Sequence, residues 1–447
     1  MHPKIFLNRN AVLIVIFLTA MVLRIGLNWA RKELFFCTPF FVSMGTIDNR
    51  TPSDAIWHSV DDRISCDATW YICTAKAFMD GKGVVSRKIS NMPIAWQKEK
   101  KFIASHKKLN EEYFAHKNIS PAYSLFLALC FYIGGVNTVA YFIPQLILSA
   151  LTCILVYLLA EEFFGRAVAL FSGFTLAFYP DLIFWSSFAR TETLFIFLFV
   201  LGFWLLLKGN TERNLFLVYG SAAIFGLACL TRITLIPFIP VIILWQAYFS
   251  SDNRKENFRT ALLMGIIIGV VLMPWAVRNY VLFGEFTVFS EEARILVGSV
   301  ENGEQYKDVE INKQYEAHKT LIMEVFVFIK DNFRIYMESC WRRFVLFWSP
   351  FTYVMKPWAK IYKGLTWLII FPAAFWGMII SRKKWKKGTY LIVAFVFYYA
   401  LLHAGSFMDL GLVYRYPIQP FLCIFAGYVY CKIYGSIAGR SKTINNT

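Results

Sequence analysis

Apolar runs that approach the ~20 residues needed to cross a bilayer as one helix recur along the whole of this chain. They fall at about 11–30, 140–163, 166–186, 192–208, 215–231, 234–251, 260–280, 364–381, 389–406 and 416–434. Hydrophobic residues make up 57% of the 447, and charged residues only 17%. A soluble globule of this length carries more charge and less apolar surface. The expected class is therefore an all-α polytopic membrane protein, a single integral membrane domain built as a bundle of about ten transmembrane helices. Aromatic residues, at 18%, suit lipid-facing surfaces and interfacial belts.

The formal net charge of +17 does not indicate nucleic acid. Much of the excess lies beside the apolar runs, as the positive-inside rule expects. Starting the thread with Lys4 and Arg9 inside puts Arg166, Lys208, Arg213, Arg254, Lys255 and Arg259 in inside turns. The run Arg382 to Lys387 and the tail residues Lys432, Arg440 and Lys442 follow on the same side. The first run resembles a signal peptide. It continues past Arg24 towards Ala30 without a small-residue cleavage site, so an uncleaved first span is expected. Arg24 is expected to snorkel outward.

Residues Ser120 to Gly135 interrupt this scheme. They are apolar enough to count as a span, yet counting them would reverse the following turns and place Glu192 inside. The segment is short, begins Ser-Pro and ends Gly-Gly, so residues 119–135 read as a helix in the outer interface. The core bundle then covers 140–280 and the last spans 364–434. Two outer loops are long, 31–118 and 281–363, and long loops in compact proteins are functional or disordered. Their aromatic content argues that they fold against the membrane, with interfacial helices expected around Trp341 to Trp358. The nine cysteines show no CxxC pair; Cys37, Cys66, Cys73 and Cys340 fall on the outer side, where a disulfide stays open.

Threaded this way, Asp67, Lys117, Glu192, Arg232, Arg278 and Arg415 all fall on one membrane face. Asp67 and Tyr71 share a helical face at i, i+4, and Gly81 and Gly83 suit a helix stop. Asp67 also suits an N-cap, and the two roles are compatible. Lys117 precedes Ser120-Pro121-Ala122-Tyr123, and a lysine there meets either a phosphate or the headgroups. Glu192 opens a span, where the helix dipole favours an acid. Each arginine could be an interfacial anchor, but its planar fork also suits phosphate. A divalent metal is the one cofactor to consider. His58, Asp61, Asp62 and His116 share the first loop, at spacings that match no standard metal pattern. The lysine run from Lys98 to Lys108 reads as a solvated or headgroup-facing surface.

Taken together, several motifs resemble the GT-C superfamily of membrane glycosyltransferases, in particular the protein O-mannosyltransferase and aminoarabinose transferase branch. They are Asp67-x-x-x-Tyr71, Pro121-x-Tyr123, Phe164-Gly165-Arg166, Tyr179-Pro180, Thr191-Glu192, Leu230-Thr-Arg232, Pro274-Trp275 with Arg278-Asn279, and Arg415-Tyr416 with Pro420. The resemblance implies a sugar donor carried on a polyprenyl phosphate, in a lipid bilayer, and an acceptor that is a protein, lipid or glycan. It implies Asp67 and Glu192 as catalytic acids, Lys117 as the donor-phosphate contact, and Tyr71, Tyr123, Arg232, Arg278 and Arg415 as substrate-binding residues. The chain departs from the pattern in having Ala68 after Asp67, and His116-Lys117-Asn-Ile-Ser-Pro121 in place of Glu-Lys-Pro-Pro. Residues 94–114 read as an insertion. A transporter or flippase, or a polymerase of lipid-linked sugars, is the rival reading.

Overall fold

The computed structural model describes residues 8–34, 62–87, 106–108, 113–116, 121–284, 286–288, 329–331, 333–349, 357–405 and 413–444. Within them, the side chain of Asp67 lies outside the description. Each expected span carries helix. In chain order the helices are α1 (Arg9–Leu34), α2 (Asp62–Met79), α3 (Pro121–Gly134), α4 (Thr138–Phe164), α5 (Arg166–Ala177), α6 (Pro180–Trp185) and α7 (Thr191–Glu212). Then come α8 (Leu215–Thr231), α9 (Ile239–Phe249), α10 (Arg254–Phe283), α11 (Phe333–Trp348), α12 (Pro357–Ser381), α13 (Lys387–Gly405) and α14 (Gln419–Ile444). By length and composition, six of these helices are able to cross a membrane: α1, α4, α7, α10, α12 and α13. Four further apolar stretches are shorter: Pro121–Gly134, Arg166–Ala177, Leu215–Thr231 and Ile233–Phe249.

Local chemistry sets these boundaries. Asn137, Asn214 and Asn253 each accept a backbone N–H bond from the first turn of α4, α8 and α10, satisfying donors that a helix start leaves orphaned. Gly284 adopts φ 74° to close α10. The expected single span over 166–186 is broken in two. α5 stops at Ala177 and α6 restarts at Pro180, because the residue before a proline is pushed out of helical geometry; Tyr179 has ψ 113°. The run at 234–251 likewise opens with a 3-10 turn, Ile233–Phe238, around Pro237.

The basic turns gather at one end of the bundle. Arg9 at the start of α1 pairs with Glu161 near the end of α4 at 2.9 Å. Lys386, before α13, reaches Glu162. Asn210 of α7 and Gln246 of α9 exchange hydrogen bonds, and Trp245 donates to the Lys387 carbonyl. The opposite ends of α7 and α8 therefore meet at the far end of the bundle. A phenylalanine core of Phe199, Phe203, Phe225, Phe395 and Phe421 locks α7, α8, α13 and α14 together, with Phe199 and Phe395 only 4.1 Å apart. Gly377 lets α12 approach α14 so closely that a Cβ there would collide with the Phe425 carbonyl.

Three features differ from expectation. Arg24 does not snorkel outward; it is fully buried between α1 and α4. Its Nε donates to Ser149 Oγ at 2.7 Å and its Nη1 to the Ala20 carbonyl at 3.1 Å. Helical side chains lean toward the N-terminus, so Arg24 reaches back along α1, away from the far end. Asp67 is no cap, since α2 begins five residues earlier at Asp62. Finally, the first loop contains a small antiparallel sheet, in the order β1 (Ser86–Arg87), β3 (Tyr113–His116), β2 (His106–Lys108). Lys107 and Lys108 of the lysine run lie in β2.

Candidate active site

At the far end, Glu192 sits in the first turn of α7, where the helix dipole stabilises a carboxylate. α8 ends one residue before Arg232, whose extended backbone (φ −146°, ψ 114°) turns its guanidinium back across that helix start. Arg232 Nη1 lies 3.0 Å from Glu192 Oε1, with side-chain exposures of 12% and 4%. Glu192 Oε2 is buried and has no hydrogen-bond partner among the described residues. A buried carboxylate oxygen left over after its counter-ion is satisfied is an acceptor awaiting a donor.

Two tyrosines stand close by. Tyr71 on α2 meets Tyr123 on α3 edge-on, with ring centroids 5.1 Å apart. The Tyr123 hydroxyl donates to Gln145 Oε1 at 2.9 Å, and Gln145 Nε2 donates to the Phe188 carbonyl at 2.8 Å. Phe188 lies four residues before Glu192, in the bend between α6 and α7. This relay ties the first loop, through α2 and α3, to the segment that presents the acid. On the other flank, Tyr398 donates to the Thr234 carbonyl at 2.7 Å, two residues beyond Arg232.

The remaining candidates are placed differently. Arg278, near the end of α10, donates to the Val84 carbonyl at 2.7 Å and to Asn279 Oδ1 at 2.9 Å, and lies 4.5 Å over the Trp275 ring. Arg415 donates to the carbonyls of Phe347 and Ser349 at 3.1 and 2.7 Å and lies over Phe371. Arg278 thus holds backbone of the first loop, and Arg415 holds the last turn of α11 and the residue after it. Glu192 and Arg232 are brought together, as are Tyr71 and Tyr123. Lys117 and the side chain of Asp67 lie outside the described residues. So do His58 and Asp61 and the side chains of Asp62 and His116. Among the described residues, no three His, Cys, Asp or Glu gather as a metal would need.

A second buried pair escaped the sequence reading. Asp181 at the start of α6 pairs with Lys363 of α12 at 2.5 Å, and Gln419 of α14 donates to Asp181 Oδ2 at 3.4 Å. Tyr416 bridges this cluster towards Glu192, its ring 5.4 Å from Trp185. The signals were visible: an acid after Tyr179-Pro180 in an apolar stretch, and a lone glutamine, Gln145, inside an apolar run. An isolated polar residue at membrane depth is a functional candidate by default.

Residues 118–277 match the family model described as dolichyl-phosphate-mannose-protein mannosyltransferase. The matched stretch contains Tyr123, Gln145, Asp181, Glu192 and Arg232 and stops one residue short of Arg278. The fold is similar to that of the archaeal oligosaccharyltransferase AglB from Archaeoglobus fulgidus in complex with an inhibitory peptide and a dolichol-phosphate. That similarity has TM-score 0.60 at 13% identity, over 98% of this chain and 52% of that one. The chain shares the fold of that membrane enzyme. The apo oligosaccharyltransferase of Archaeoglobus fulgidus is similar with TM-score 0.57 and 12% identity, over 98% of this chain and 52% of that one. ArnT from Cupriavidus metallidurans in the apo state aligns over 81% of this chain and 54% of its own, at 14% identity and TM-score 0.48. The chain spans about half the length of these proteins. No curated protein matches it by sequence. With six membrane-length apolar helices among its described residues, the chain is an integral membrane protein.

Proposed function

We propose that the chain is a glycosyltransferase that moves a sugar from a polyprenyl-phosphate donor to an acceptor hydroxyl or amine at the outer membrane face. One observation carries this reading. A buried acid–arginine pair with an open carboxylate oxygen, Glu192 and Arg232, sits opposite the basic end, inside the stretch that matches a mannosyltransferase family. The positive-inside rule makes the basic end cytoplasmic and the Glu192 end outer. A protein of similar fold is described with a dolichol-phosphate, a lipid phosphate of the proposed donor class.

The chemistry follows from the charges. The bond between the anomeric carbon and the phosphate oxygen breaks as the acceptor attacks from the opposite face, inverting that carbon. Phosphate leaves well once its charge is countered, so cations suffice and no protein acid is required. This role is assigned to Lys117 and Arg232, and the Tyr71–Tyr123 pair is assigned the wall of the sugar site. Asp67 takes the acceptor's proton as general base. Glu192, with Oε2 open, accepts a hydrogen bond from the acceptor or sugar and holds Arg232 in place. α3, at ~21 Å for its 14 residues, is shorter than the ~30 Å hydrocarbon core, which supports reading it as a helix of the outer interface.

The test is release of polyprenyl phosphate from a panel of purified polyprenyl-phosphate sugars, with membrane extract as acceptor source. Wild type is compared with Asp67→Asn. Release that needs both acceptor and Asp67 supports a transferase and names its donor. Undiminished release by Asp67→Asn removes the assignment of the base. No release with any donor, together with lipid movement across proteoliposomes, replaces the enzyme with a transporter.

A further inference from the structure

We infer that Arg278 is a positioning residue that clasps the first loop onto α10 and thereby fixes α2, the helix that carries Asp67; this rests on the proposed role of Asp67. Gly81 and Gly83, with φ 71° and 79°, reverse the chain within four residues of the helix end and present the Val84 carbonyl. Arg278 Nη2 donates to that carbonyl at 2.7 Å, a contact bridging 194 residues of sequence.

Several contacts among the described residues hold Arg278 in that pose. Its guanidinium stacks 4.5 Å over Trp275, one turn earlier on α10, and 5.5 Å from the Phe283 ring. Nη1 is bound by Asn279, whose Nδ2 in turn donates to the Thr287 carbonyl beyond the helix end. Phe283 and Leu282 pack on a small buried cluster of Ala77, Val85 and Ala115. Those three residues belong to the last turn of α2, the turn after it and β3. The end of α10 therefore grips the first loop by one charged hydrogen bond and one apolar contact.

The mechanical consequence follows from rigidity. α2 is anchored at its middle by the Tyr71–Tyr123 contact and at its end by the α10 clasp. Two anchors fix the direction of a helix, and so fix where a residue in its second turn sits. An arginine already committed to a carbonyl, an amide side chain and two rings is poorly placed to give its fork to a phosphate. The geometry thus separates two roles that one sequence motif leaves together: Arg232 faces the reacting end, while Arg278 holds the frame.

The experiment compares wild type, Arg278→Gln, Arg278→Lys and Phe283→Ala in full-length protein. It reads donor KM, kcat for polyprenyl-phosphate release, and backbone hydrogen exchange over residues 74–87. Misplacing a catalytic group by ~1 Å costs on the order of 10²-fold in rate. Arg278→Gln and Phe283→Ala are expected to lower kcat about 10- to 100-fold, leave donor KM within about twofold, and speed exchange in 74–87. Arg278→Lys, which restores one donor without the fork, is expected to fall between. A tenfold rise in donor KM with unchanged exchange makes Arg278 a phosphate ligand and overturns the inference. Unchanged exchange in both Arg278→Gln and Phe283→Ala also overturns it, whatever happens to rate. The exchange readout needs no turnover, so a wild type that releases nothing sinks the transferase reading while the clasp is still judged by itself.

Discussion

The two ends of the bundle carry the same kinds of charge pair in opposite surroundings. At the basic end, Arg9–Glu161 is exposed by 54% and 23%, and Lys386–Glu162 by 56% and 35%. At the far end, Glu192–Arg232 and Asp181–Lys363 are each exposed by no more than 12%. Exposed pairs are worth about 0–1 kcal/mol, because water already solvates each charge. Buried pairs gain little in net stability, yet removing one partner costs about 3–5 kcal/mol, because the other is stranded in low dielectric. The basic end is thus a matter of orientation, whereas the far end retains charges that an apolar core would gladly replace. Buried charges there fit the role proposed for Glu192.

This contrast is open to attack. The largest expected effect is catalytic: Asp67→Asn should keep the protein folded and inserted but lower donor turnover by at least about 10²-fold, read in the release assay. Next is Arg232→Ala, which takes from Glu192 its hydrogen-bonded counter-ion and leaves it the charge of Arg190. Melting in detergent should show a destabilisation of about 3–5 kcal/mol, while Glu192→Gln, which leaves no buried carboxylate, should cost less but still lose activity. Third, Lys363→Met should destabilise by a similar amount through stranded Asp181. The double variant Asp181→Leu with Lys363→Met should recover most of the loss, since an apolar pair of like volume replaces a buried ion pair without penalty. A double variant as unstable as the single would show that Gln419 and Tyr416 depend on the charge. The smallest effect is at the other end: Arg9→Gln should change melting by no more than about 1 kcal/mol. A loss there as large as that of Arg232→Ala would erase the distinction between the ends.

Much of the fold was legible because apolar length and flanking basic charge are strong, local signals. The runs at 192–208 and 215–231 became α7 and α8 with Glu192 and Arg232 at their shared end, and Gly81 and Gly83 do end α2. What was lost depended on partners distant in sequence. Asp181 looks like an ordinary residue after a proline until Lys363, 182 positions later, is set beside it. Arg278 and Arg415, read as substrate-binding, donate to backbone carbonyls in the structure; a guanidinium's fork suits carbonyls as well as phosphates, and sequence does not say which it meets. The sheet in the first loop was missed because its strands have only two to four residues, too few to show a period.

The burial of Arg24 bears on how the chain is made. Its hydrogen-bond acceptor Ser149 is 125 residues further along, so α1 leaves the ribosome long before α4 exists to solvate that guanidinium. An arginine near a helix centre costs about 2.5–3.5 kcal/mol on insertion scales when it has no partner. The first span is therefore a weak anchor by itself. It must wait at the edge of the insertion machinery, or move within it, until α4 arrives and the two enter the lipid as a unit.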